Sequence, residues 1–135
     1  MWFKNLRLYQ VTENLNTDQD QLEQALAAFK FTPCTSQEAI KMGFTSPLHP
    51  SLKQYCHQTN DVMLFAVKRQ EKVLPGSVVN EELAPKIDAM EQEKGRPLSR
   101  KEKQALKEEL IQTLLPRAFS KSSVTTALYD KQQGW

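Results

Sequence analysis

Between residues 2 and 11 apolar and polar side chains alternate, with Leu6 and Leu8 on one side of the chain and Asn5 and Arg7 on the other. That period of two predicts a β-strand beginning at Trp2 and Phe3 and covered on one face. Asn14 to Asp18 is polar and turn-like. The period then becomes helical. Thr17 stands where a cap is expected, Asp18 and Asp20 lie near the positive end of the helix, and Leu22, Ala25, Leu26 and Phe29 share a face before Pro33. Pro33, Gly43, Pro47 and Pro50 interrupt the next stretch, which predicts mostly loop with one short strand over Met42–Thr45. A turn at Asn60-Asp61 leads into Val62–Val67, a continuous apolar run with β-branched and aromatic members. Such a run predicts a central strand buried on both faces, which carries on through charged Lys68–Lys72 to Val73-Leu74 by a bulge or a hairpin.

From Pro75 the pattern is helical again. Residues 77–94 predict a helix capped by Ser77, with Val79, Leu83, Ile87 and Met90 on one stripe. Pro85 either kinks this helix or starts a new one, because a mid-helix proline removes a hydrogen bond and crowds the preceding turn. Gly95 to Pro97 is a break. Ser99 and Glu102 form a capping box, Leu106, Leu110 and Leu114 follow at four-residue spacing, and Pro116 ends the helix. Val124 to Tyr129 predicts a returning strand and Asp130 to Gly134 a turn. The expected fold is α+β: a mixed or antiparallel sheet with one packing helix and a protruding two-helix hairpin. The divisions are 1–74 for the strand-helix-strand portion, 75–121 for the hairpin and 122–135 for the returning strand. A strand and turn ending at Trp135 look like half a hairpin, so the expectation is the N-terminal portion of a longer protein.

At 135 residues with 39% hydrophobic and 25% charged positions the chain is long enough for one domain with a core and ordinary in balance. No window reaches the run of roughly 18 apolar residues that a membrane span needs, and the first residues do not show a basic region, long apolar core and cleavage site in succession, so the expected location is cytoplasmic. Cys34 and Cys56 are too few for a disulfide framework and suit buried thiols. Together with His49 and His57 they lack the close pairing of a structural zinc site, so no metal is expected.

A net charge of +2 does not by itself imply a polyanionic ligand. Its distribution is more informative. Lys94, Arg96, Arg100, Lys101 and Lys103 are opposed within their run only by Glu102, and Arg117 and Lys121 follow the second helix. Cations in such a group neutralise phosphates and release counterions, a salt-sensitive and sequence-tolerant mode of binding. The competing explanation is a solvated helix start balanced by Glu108 and Glu109 a turn later. Lys4 and Arg7 are default solvated charges.

Three stretches are more distinctive: Trp2-Phe3-Lys4-Asn5-Leu6, Phe31-Thr32-Pro33-Cys34 and Leu114-Leu115-Pro116-Arg117-Ala118-Phe119-Ser120. With Lys41-Met42-Gly43 and Glu71-Lys72-Val73-Leu74-Pro75, their order and spacing resemble the N-terminal part of the RdgC family, the bacterial recombination-associated DNA-binding proteins. Pro85 departs from the uninterrupted helix of that family. The resemblance implies a non-enzymatic protein without cofactor, associated with the nucleoid. It implies binding to double-stranded DNA with little sequence preference; the seven cations named above are the candidates for that contact, and with no base-reading motif in the sequence they are expected to meet the backbone only. It also implies a homodimer closed into a ring, and a limit on RecA-filament activity. Phe119, an aromatic after a helix-stopping proline, is then a candidate dimer contact. Two alternatives remain. One is a DNA exonuclease, the label the family sometimes carries, although the acids (Glu81, Glu82, Asp88, Glu91, Glu93, Glu102, Glu108, Glu109) lie mainly on helix surfaces and Asp61 alone stands near a strand end. The other is a helical protein-interaction module using Leu106, Leu110 and Leu114 without DNA.

Overall fold

The computed structural model describes all residues other than 1–3, 14, 16 and 17. Among the described residues three α-helices and four strands make an antiparallel α+β fold: α1 (Gln19–Ala28), β1 (Ile40–Thr45), β2 (Cys56–Gln58), β3 (Val62–Val73), α2 (Gly76–Lys94), α3 (Arg100–Leu114) and β4 (Phe119–Asp130). The sheet order is β1-β3-β2, with β4 also paired to β3. The chain forms two compact units, one of Met1–Thr32, Met42–Arg69 and Ser123–Trp135, the other of Pro33–Lys41 and Gln70–Ser122.

The first unit is organised around α1. Asp18 caps it by accepting from the Gln21 N–H at 2.9 Å; Thr17, the cap expected from the sequence, lies outside the described residues. Leu22 and Leu26 turn inward and pack with Cys56, Met63, Phe44, Tyr55, Phe65 and Tyr129. Phe29, expected on the same stripe, is exposed, because the helix stops at Ala28 and the backbone of Phe29 has left the helical path at φ −114°. A carboxylate joins the helix to the sheet. Glu23 accepts the Tyr55 N–H at 2.9 Å and the Cys56 N–H at 2.8 Å, while Gln19 donates to Glu23 and to the Cys56 carbonyl. The backbone donors of Tyr55 and Cys56, where the chain enters β2, are thus satisfied by a charged side chain of α1, a stronger contact than a neutral pair. Burial pushes the Cys56 thiol up, and the Glu23 charge adds to it.

Two strand expectations need correction. Residues 4–12 form no strand, and Leu6 and Leu8 are exposed at 69% and 68%; Trp2 and Phe3 lie outside the described residues. Alternation supplies a face, but a strand exists only when its backbone finds a neighbour. Conversely, β2 was not expected. It pairs antiparallel with β3 in the register Cys56↔Phe65, His57↔Leu64, Gln58↔Met63. The Thr59 hydroxyl accepts from the Val62 N–H and closes the turn. The central strand itself is confirmed. Met63 and Ala66, of opposite parity, are both buried, so β3 is covered on both faces. It runs to Val73 through the charged segment with no hairpin, and Lys68 sets its ammonium 4.8 Å from the Phe31 ring.

The second unit holds the hairpin. Val79, Leu83 and Leu110 form its core with Leu74, Ile87, Leu106, Ile111 and Leu114, so both leucine stripes serve to pack α2 on α3. The N-cap of α2 is Pro75 and not Ser77; the Pro75 carbonyl accepts from Val78 and Val79. α2 continues through Pro85 without interruption. Pro85 and Glu81, whose carbonyl loses its partner there, are both exposed, so no buried acceptor is orphaned.

Gly43 allows the parallel bridge between Lys30 and Phe44, since a Cβ there would lie 2.4 Å from the Phe31 Cα. Gly43→Ala therefore lowers the stability measured by urea unfolding by about 1–3 kcal/mol. Removing the Glu23 carboxylate (Glu23→Ala) costs about 1–3 kcal/mol, as two donors lose a charged acceptor. Gln24→Ala, at an exposed position of the same helix, is the control and changes little.

Candidate nucleic-acid interface

Gly, Pro and Ser in close succession end one helix and start the next. Gly95 takes the left-handed conformation, φ 68°, and its N–H caps the Glu91 carbonyl at 2.9 Å. The Glu91 carboxylate accepts from the Leu98 N–H at 3.2 Å, and Leu98 is buried under the turn. Ser99 caps α3: its hydroxyl accepts from the Glu102 N–H at 3.2 Å, and the Glu102 carboxylate accepts from the Ser99 N–H at 2.8 Å.

Glu102 does more than complete that box. Arg96 meets it bidentately, Nη2 to Oε1 at 2.8 Å and Nη1 to Oε2 at 3.0 Å, and Lys94 Nζ reaches Oε1 at 3.2 Å. Arg96, then the Ser99 N–H, then Lys94 hold the Glu102 carboxyl well below the usual carboxylate range, and Glu102 in turn raises Arg96. The five cations of the turn therefore divide. Lys94 and Arg96 are drawn onto one acid, whereas Arg100, Lys101 and Lys103 are exposed and make no ion pair among the described residues. At about 100° per residue Lys101 and Lys103 project some 160° apart with Arg100 between them, so the three crown the start of α3 and do not line a single stripe.

Arg117 and Lys121 do not join this crown. They follow the far end of α3, whose 15 residues span about 22 Å. There the chain makes one 3₁₀ turn, Leu115–Arg117, and enters β4. Arg117, Phe119 and Lys121 are all exposed, Phe119 at 87%. Alternation puts Phe119 and Lys121 on one side of β4. The sequence spacing already set Arg117 and Lys121 beyond the second helix, and the structure keeps the two groups at opposite ends of α3. The sequence did hide the role of Glu102, which the capping-box spacing marked only as a helix start.

Among the described residues no three of His, Cys, Asp and Glu come together as a metal site. Asp61 is engaged by Gln132, whose amide donates to it at 2.7 Å. Lys4 and Arg7 are exposed.

Comparison with known proteins follows the same direction. A family model described as "Putative exonuclease, RdgC" matches residues 1–135. The recombination-associated protein RdgC of Tolumonas auensis is 49% identical over 125 residues, covering 93% of this chain and 41% of the relative. That of Psychromonas ingrahamii is 44% identical over 132 residues, covering 98% and 44%. That of Pseudoalteromonas translucida is 42% identical over 135 residues, covering 100% and 45%. The chain thus spans less than half the length of these curated relatives.

The Glu102 clamp carries a pH signature. Because the folded state depresses this carboxyl, its stabilisation is fully present above the ordinary value of 4.5 and drains away as the pH falls below it. Denaturant unfolding of Glu102→Gln is therefore expected to show lower stability than the parent at neutral pH, with the gap closing in acid.

Proposed function

The chain belongs to the RdgC family, and on that premise we propose that it binds the phosphate backbone of double-stranded DNA with little sequence preference. The observation that carries this reading is the crown of Arg100, Lys101 and Lys103, exposed beside a rigid turn and free of acidic partners among the described residues. Ammonium and guanidinium groups so held meet phosphates without first breaking an internal ion pair, and counterion release supplies the affinity. Lys94 and Arg96 act mainly on Glu102 and contribute to DNA at longer range. Arg117 and Lys121 provide a second contact beyond the far end of α3. None of these groups faces base edges through a recognition element, so the contacts position the duplex and do not read it.

In this reading Phe119 anchors a second subunit and homodimers close a ring around DNA, the assembly occupies the nucleoid, and it thereby limits access of RecA filaments. The protein acts by occupancy and not by cleavage. An exonuclease reading has one specific support, the description of the matching family model. A helical docking module has less, since Leu106, Leu110 and Leu114 are packed into the hairpin core. No helix among the described residues is long and apolar enough to cross a membrane.

Anisotropy titration of two unrelated labelled duplexes across roughly 50–200 mM salt tests the reading. The two sequences bind alike, and log K falls linearly with log salt. Replacing Arg100, Lys101 and Lys103 together by Ala reduces the slope by about 2–3, one unit for each lost phosphate contact. Glu102→Gln, which frees two cations, tightens binding at low salt. Unchanged affinity in the triple variant removes the site. Cleavage of the duplex in Mg²⁺ that is lost on substitution of an acidic residue establishes the exonuclease instead. Phe119→Asp shifts the sedimentation mass from dimer to monomer.

A further inference from the structure

Three cations and a gap surround the start of α3. At about 100° per residue, Arg100, Lys101 and Lys103 leave one side of the first turn without a positive charge. Glu102 projects into that gap, about 100° from Lys101 and from Lys103. Lys94 and Arg96 reach the same place from the end of α2 and from the turn, and both end on its carboxylate. The Arg96 contact is bidentate, at 2.8 and 3.0 Å, yet the Arg96 side chain is 53% exposed. Two properties of such a pair matter to a polyanion. The guanidinium fork fits phosphate oxygens as it fits a carboxylate. An ion pair so open to water is also held weakly, because solvent screens it. Glu102 keeps a further partner of its own, the Ser99 N–H at 2.8 Å. Departure of Arg96 therefore leaves the carboxylate hydrogen-bonded and the capping box closed.

We propose that Glu102 is a tethered competitor for DNA phosphate: it holds Arg96 and Lys94 in the free protein and gives them up to the duplex backbone once DNA is seated on Arg100, Lys101 and Lys103. The proposal rests on the DNA-binding reading and deepens it. Before contact only the long-range field of Lys94 and Arg96 reaches an approaching duplex. After the exchange, cations stand on every side of the first turn. Counterion release drives the exchange, since it accompanies the new phosphate contacts and has no counterpart in the pairs they replace. Glu102 thus sets how tightly DNA is held, and not how many phosphates are met.

Affinity and salt slope separate these two quantities. Anisotropy titrations of one labelled duplex are run on the parent, Glu102→Gln, Arg96→Ala, Arg96→Lys and the double variant Arg96→Ala/Glu102→Gln. Glutamine also serves a capping box, so Glu102→Gln keeps the start of α3. It is expected to tighten binding about two- to fivefold at any one salt concentration, the weight of a weak surface pair, with the slope of log K against log salt unchanged. Arg96→Ala lowers that slope by about 0.9, one phosphate contact, in the parent and in Glu102→Gln alike. Arg96→Lys keeps the slope, because phosphate also accepts a point charge. A slope that is unmoved by Arg96→Ala in the parent, and that steepens by nearly 2 in Glu102→Gln, overturns the proposal, since both cations then stay on Glu102 in the complex. Unchanged affinity in Glu102→Gln overturns it as well. In both of those outcomes the parent still binds, and the DNA-binding reading stands. Absence of salt-sensitive binding by the parent rejects that reading and the exchange together.

Discussion

The hairpin that carries the candidate site depends on one carboxylate. Glu102 accepts from the Ser99 N–H, from both terminal nitrogens of Arg96 and from Lys94, so the start of α3, the turn and the end of α2 meet on two oxygen atoms. Each contact is exposed and would be weak alone. Together they share one ordered side chain, so the entropy of immobilising Glu102 is lost once for three partners. The backbone contacts of the same turn, Gly95 to Glu91 and Leu98 to the Glu91 carboxylate, remove the freedom that would otherwise let the cations search for other acids.

That arrangement also sets the electrostatics. A loose cluster of five cations and one acid would average its charge over many conformations. Here the acid is committed to Lys94 and Arg96, and Arg100, Lys101 and Lys103 are left facing solvent. Positive potential is thus concentrated on side chains of the first turn of α3, beside helix donors that already favour anions. The arrangement suits phosphate contact. Three of the described acids are engaged by backbone donors: Glu23 by Tyr55 and Cys56, Glu91 by Leu98 and Glu102 by Ser99.

Much of the fold was legible from residue order. The helices, the capping box, the stripes Val79-Leu83-Ile87 and Leu106-Leu110-Leu114 and the central strand from Val62 follow local rules of period and punctuation, and the structure places them as those rules predict. Where the reading failed, a long-range partner was decisive. β2 has almost no pattern of its own; it is a strand because Met63 to Phe65 lie opposite and Glu23 supplies acceptors from a helix more than thirty residues away. Residues 4–12 have the right alternation, yet they form no strand; the Val11 N–H meets the Gly134 carbonyl without starting a ladder.

For the candidate site the division is similar. The sequence by itself determined which residue types are present and how many cations surround the turn, and the Ser99–Glu102 spacing determined where α3 begins, because capping involves groups three residues apart. Only the tertiary structure decided that Lys94 and Arg96 converge on Glu102, that Arg100, Lys101 and Lys103 make no ion pair among the described residues, and that Phe119 stands exposed. Charge in a sequence is a list of signs, whereas interaction falls with distance; packing α2 on α3 converts separation along the chain into separation in space, and that determines which charges cancel and which remain.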